Sequence, residues 1–150
     1  MTTWISVAIT LAVIASVSLW IFSYIDDWSR DLTQNAATTH DTEGRPWMSA
    51  LTLSETPEKV AQTLQTIGND KPIWSVETVE TQDTGETQVH LIRKTALLGF
   101  IDDIHANLVP VDTGTRVDVS SQSRIGKGDL GQNPRNIEDL NRWLADQFKN

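Results

Sequence analysis

No charged side chain interrupts the run from Trp4 to Ile25, and no other feature constrains the chain so strongly. At about 1.5 Å per residue a helix over this run reaches roughly 33 Å, enough to cross a hydrocarbon core of about 30 Å. The run is apolar on every face, whereas a helix packed on a small core keeps a polar side. Trp4 at one end, and Trp20, Tyr24 and Trp28 at the other, stand where interfacial aromatic belts lie. A cleaved signal peptide carries a basic n-region, a shorter apolar stretch and a small-x-small cleavage site. Met1-Thr2-Thr3 holds no basic side chain, and no such site follows the run. The expectation is an uncleaved, single-pass transmembrane helix over residues 1–25. Ala8, Ala12 and Ser16 form a small-xxx-small row where another transmembrane helix can approach closely. With Trp4, Trp20 and Trp28 they are the expected contacts to a membrane and an integral membrane partner.

Orientation is weakly encoded. Lys and Arg are absent before the run, while Arg30 and Arg45 follow it. Counted strictly, that favours a cytoplasmic C-terminal side. Across the whole chain the formal net charge is -8. That argues against nucleic acid, whose phosphates need clustered Lys and Arg. It also argues against docking of the domain body on an anionic bilayer. The cysteine count is 0, which excludes disulfides, thiolate metal sites and cysteine nucleophiles.

Residues 26–46 read as a polar linker without an apolar period, and residues 47–150 as a soluble α+β domain. Trp47, Met48, Leu51 and Leu53 mark its entry. Thr56-Pro57-Glu58 is a helix start, with Thr as N-cap, Pro in the first turn and an acid behind it. Val60, Ala61, Leu64 and Ile67 follow at helical spacing, and Gly68 can close the helix. Four strand-like segments come next, separated by Asp83-Thr84-Gly85, a hairpin near Ala96 and Leu97, and Asp112-Thr113-Gly114. Short turns between successive strands imply an antiparallel meander. A glycine-rich loop over residues 126–132 leads to a closing helix, with Asn133 as its N-cap and Ile137, Leu140, Leu144 and Phe148 on its apolar face. The expected fold is α+β: the transmembrane helix, then a four-stranded antiparallel sheet flanked by two helices, in the order α-β-β-β-β-α.

The C-terminal half carries two motifs. One is Phe100-Ile101-Asp102-Asp103. The other runs through Ser121, Ser123, Arg124, Gly126, Asp129, Gly131 and Asn133. Together they resemble the bacterial and plastid domain-of-unknown-function family 1499, over roughly residues 47–148, with the specific part in residues 100–138. The resemblance implies this fold and a membrane or envelope setting, with the domain extracytoplasmic, and it implies no established activity. The chain departs from the family pattern by lacking a Cys-containing segment before the first helix. It also carries Ser120 and Asn136 where basic residues are usual, and Lys127 where an aromatic is usual.

Several constellations suggest chemistry. Gly126-Lys127-Gly128-Asp129-Leu130-Gly131 spells GxGxxG, but a dinucleotide site needs a parallel βαβ unit, and no strand follows the closing helix. The glycines are expected to serve a tight loop instead. Neighbouring residues in a strand point to opposite faces, so Asp102 and Asp103 are not expected to share one acid–base site. One is expected to pair with Arg124, the other to accept hydrogen bonds from Ser121, Ser123 or loop amides. Asp103 and His105 share a strand face, and a hairpin centred near Ala96 and Leu97 sets His90 opposite Asp103. That would give a zinc or iron set of two imidazoles and a carboxylate. No catalytic residue and no cofactor is assigned. The leading expectation is a non-enzymatic accessory or assembly subunit docking on a larger membrane protein complex. The alternative is a metal- or small-ligand-binding domain, possibly hydrolytic, built on His90, Asp103 and His105.

Overall fold

Alternation of buried and more exposed positions along Asp102 to Leu108 and Thr115 to Ser121 runs through the two longest strands. The computed structural model describes residues 2–23, 25, 27–39, 45–95 and 99–149. Strand β5 (Ile101–Val111) turns through Asp112 and Thr113 into β6 (Gly114–Ser123), pairing Asp102 with Ser123 and Val111 with Gly114. On the other side β5 pairs antiparallel with β4 (Thr87–Lys94), and β4 with β3 (Trp74–Thr81). These are the four expected strands.

The sheet nevertheless has six strands, which corrects the four-stranded expectation. Strand β1 (Ala36–Thr38) pairs with Ser120–Gln122 of β6, and β2 (Leu51–Leu53) with Thr115–Val117. Both lie along the outer edge of β6, and the order is β1-β6-β5-β4-β3 with β2 beside β1 on that edge. Strand β1 falls inside residues 26–46, so the described residues 27–39 of that stretch belong to the domain where the sequence suggested a linker. The helix α2 (Trp28–Thr33) also lies there, capped by the Asp27 carboxylate, which accepts from the Arg30 amide. The far edge, β3, is exposed along most of its length. A bulge between Val76 and Thr78, together with Glu77 and Glu80, guards it against pairing with another chain.

One face of the sheet forms the core. Val89, Leu91, Ile104, Ala106, Leu108, Val117 and Val119 meet Val60, Ala61 and Leu64 of α3 (Pro57–Leu64). They also meet Ile137, Leu140 and Leu144 of α5 (Gln132–Gln147). Each Val, Leu or Ile among them contributes about 1.5–3 kcal/mol when fully buried. Helix α3 starts as expected, with Thr56 accepting from the Lys59 amide. It ends at Leu64, and a separate short helix, α4 (Ile67–Asp70), follows and contains Gly68. The opposite sheet face is polar, with Gln88, His90, Asp103, His105 and Asn107 along it, as suits a solvated side of an antiparallel sheet.

The N-terminal helix α1 (Thr2–Phe22) makes no extensive contact with another element. Among the described residues no helix is long and apolar enough to cross a membrane. The helix ends at Phe22, and Ile25, expected inside the span, is buried instead. The expected single-pass anchor is therefore corrected.

Candidate functional site

The alternation of β5 sends the two aspartates of the Phe100-Ile101-Asp102-Asp103 motif to opposite faces. Asp102 turns inward and is 2% exposed. The Ser123 hydroxyl donates to its Oδ1 at 2.6 Å and the Asn136 amide to its Oδ2 at 2.9 Å. Asn136 also donates to Ser121 Oγ at 3.1 Å, and Ser121 donates to Asn133 Oδ1 at 2.6 Å. Asn133 in turn donates to Ser123 Oγ and to the Asn35 carbonyl, at 3.2 and 2.6 Å. This closed network staples α5 to β5 and β6, and reaches back to the segment before β1. Both serine hydroxyl protons are committed within it, to a carboxylate and to a carboxamide. Among the described residues no histidine joins them, and neither serine is set up as a nucleophile.

The glycine-rich loop completes the same structure. Its Asp129 carboxylate accepts from the Gly131 and Asn133 amides, each at 2.8 Å. Asp129 thus performs the capping expected of Asn133, whose own side chain is buried in the network. Gly131 holds φ +73, which a glycine adopts without strain, and Gly128 presses on the Leu32 backbone, where a Cβ would stand 2.5 Å from the carbonyl. The Leu130 and Asp129 amides donate to the Asp31 and Gln34 carbonyls. Asn35 donates to the Gly126 carbonyl at 2.8 Å. The loop therefore clamps α2 and β1. A carboxylate already occupies the amides that a phosphate would use, and the all-antiparallel sheet supplies no βαβ unit for a dinucleotide.

On the outer face Arg124 grips Asp103 with a fork, Nε to Oδ2 and Nη2 to Oδ1, both 2.7 Å. His90 Nε2 lies 2.8 Å from the same Oδ1. The Arg124 hydrogen bonds dominate in pulling the Asp103 carboxyl down to about 2; partial burial opposes them and His90 assists. His90 stands opposite His105, with Asp103 opposite Ile92. This is two residues from the expected register, and the hairpin residues expected near Ala96 and Leu97 lie outside the described residues. The two imidazoles stack, with centroids 4.5 Å apart and planes 9° apart. Burial, chiefly, and the neighbouring His90 lower the His105 pKa. Nitrogen lone pairs in parallel planes do not converge, and both Asp103 oxygens are held by Arg124. Among the described residues no group of three or more His, Asp or Glu is arranged to hold a metal ion.

Of the remaining motif residues, Phe100 is exposed beside the β4–β5 connection, its amide donating to Thr95 Oγ1. Trp4, Ala8, Ala12, Ser16 and Trp20 lie on α1, all exposed, and the Ser16 hydroxyl donates back to the Ala12 carbonyl at 2.8 Å. Trp28 is exposed at the start of α2, its ring 5.4 Å from that of Phe22. Sequence reasoning did not single out Asn35 or Arg93, and noted Asn136 only as a departure from a family pattern. Their roles depend on how α2 and α5 dock, for which a single polar residue gives no local signal.

A family model described as a protein of unknown function (DUF1499) matches residues 26–144. The match begins at the segment that carries α2 and β1, in keeping with their place in the fold. No curated protein and no solved structure matches the chain.

Proposed function

We propose that the chain, which belongs to the DUF1499 family of proteins of unknown function, is a non-enzymatic accessory subunit that docks through α1 on a larger protein complex. The carrying observation is the state of α1. Trp4 is 80% exposed, Leu19 71% and Trp20 59%, and Ile9 and Leu11 are exposed as well. Apolar surface on that scale marks a site of association. The row of Ala8, Ala12 and Ser16 lets a partner helix approach, since the Ser16 hydroxyl is turned onto its own backbone. The motif residues support the same reading from the other side. Their hydrogen-bonding groups hold the domain together and leave no nucleophile, base or metal set assembled.

Mild extraction of the full chain from its native source, followed by native gel electrophoresis, tests this. The chain should migrate in a complex larger than itself, and an Ala8→Leu/Ala12→Leu variant should be released from it. Recovery of the native chain solely as a free monomer refutes the proposal.

A further inference from the structure

Helix α5 and the end of β4 do not close fully on one another. A cavity of about 350 Å³ lies between them, and three of its lining side chains are Arg93, Arg135 and Arg142. Such convergence is unexpected in a chain of formal net charge -8. The two acids in the wall are offset from outside. Glu138 lies 3.5 Å from Arg45 Nε, and Asp139 lies 2.8 Å from Lys71 Nζ.

Arg93 is the most telling of the three. Its Nη1 is buried and has no hydrogen-bond partner among the described residues. The nearest carboxylate oxygen, Asp102 Oδ2, stands 3.7 Å away, beyond hydrogen-bond length, and already accepts from Asn136. Burial lowers the Arg93 pKa, and the charges of Asp102 and Asp139 only partly restore it. A buried guanidinium with an unmet donor is costly unless an acceptor completes it. The other two arginines are held in place. Arg135 Nη2 donates to the Leu130 carbonyl at 2.7 Å, and the Arg142 guanidinium lies over the Trp47 ring, 5.7 Å from its centroid.

We propose that this cavity binds a small organic phosphate, its phosphate oxygens gripped by Arg93 and Arg142 and its polar body set against Gln132 and Glu138. A phosphate offers three acceptor oxygens and close to two negative charges, a better match to several guanidinium forks than a carboxylate. The volume lies at the lower end of small-molecule sites and exceeds what inorganic phosphate alone fills. The site is separate from α1 and does not depend on docking there.

Isothermal titration of the full chain with glycerol 3-phosphate, and with glycerol at matched ionic strength, tests the assignment. Saturable heat is expected with the phosphate and none with glycerol. Arg142→Ala, a change at the exposed rim, should weaken binding at least tenfold, and Arg93→Lys should do the same by losing the fork. Arg116→Ala, on the opposite face of the sheet, should leave binding unchanged. The proposal is overturned if the wild-type chain gives no saturable heat at about 10 mM ligand, or if Arg142→Ala binds as tightly as wild type.

Discussion

Replacing Asn136 by Leu tests whether the buried polar network holds α5 on the sheet. Asn136 is fully buried, and its amide donates to Asp102 and to Ser121. Leucine keeps the branched outline of asparagine at Cγ and is the better helix former, so the lost hydrogen bonds dominate the change. What is lost is one hydrogen bond to a buried carboxylate, worth about 1.5–3 kcal/mol, and two between neutral groups, to Ser121 and from Gln132, worth about 0.5–1.5 kcal/mol each. The sum is about 2.5–6 kcal/mol. With a urea m-value of about 1.5 kcal/mol per molar, the unfolding midpoint should fall by about 1.5–4 M. The same substitution in an Asp102→Asn background loses only neutral bonds and should cost about 1–1.5 kcal/mol less. Urea melts of the four chains give that coupling directly. A single-variant cost below about 0.5 kcal/mol, or an equal cost in both backgrounds, refutes the account of Asp102 as a carboxylate dependent on Asn136.

Three further outcomes follow from the same structure. Gly128→Ala drives a Cβ to 2.5 Å from the Leu32 backbone; it should cost about 1–3 kcal/mol and lower Tm by several degrees, read by circular dichroism. The Asp103 carboxyl is held at about 2 when folded, below an unfolded value near 3.9. Its contribution is therefore complete above about pH 4 and is lost as pH falls toward 2. Because Arg124 is half exposed, that contribution should be under about 1 kcal/mol. The wild-type minus Asp103→Asn stability difference should shrink across this window, and a flat difference curve contradicts the pairing. Finally, a chain beginning at Trp47 lacks β1 and the Asn35 carbonyl that Asn133 holds. It should show lost or poorly dispersed amide resonances, whereas a chain beginning at Ile25 should keep native dispersion.

What the sequence reveals here is parity more than partnership. Apolar patterning and turn residues locate β3 to β6, and parity puts Asp102 and Asp103 on opposite faces, since side-chain direction along a strand depends on odd or even position. Parity does not set register. The β4–β5 pairing differs by two residues from the expected one, so every side chain keeps its face but changes its directly opposite partner: His90 stands opposite His105 and reaches Asp103 diagonally. A metal site depends on how side chains converge, and among the described residues no group of three or more His, Asp or Glu is arranged to hold a metal ion. The Arg124 fork on Asp103 is less sensitive: Arg124 follows directly on β6, and the tight Asp112-Thr113 turn leaves the β5–β6 register little freedom.

Length explains the missed strands, and polarity the missed segment. Three residues of β1 or β2 carry no period that can be read. Asp31 and Asn35 look solvated by composition, yet Asp31 is buried and paired with Arg30, and Asn35 joins the loop to the network. Polar residues give the same local signal whether water or a buried partner satisfies them, because the choice is made by elements distant in sequence. Arg93 is the extreme case. Its position on the inner face follows from the alternation of β4. Its crowding with Arg135 and Arg142 follows only from where α5 lies, and α5 is placed in part by Asn136 reaching Asp102, the carboxylate nearest Arg93. The structural network and the cationic cavity are therefore coupled through one carboxylate. A variant that loosens Asn136 should disturb phosphate binding as well as stability, whereas Arg142→Ala should disturb binding alone.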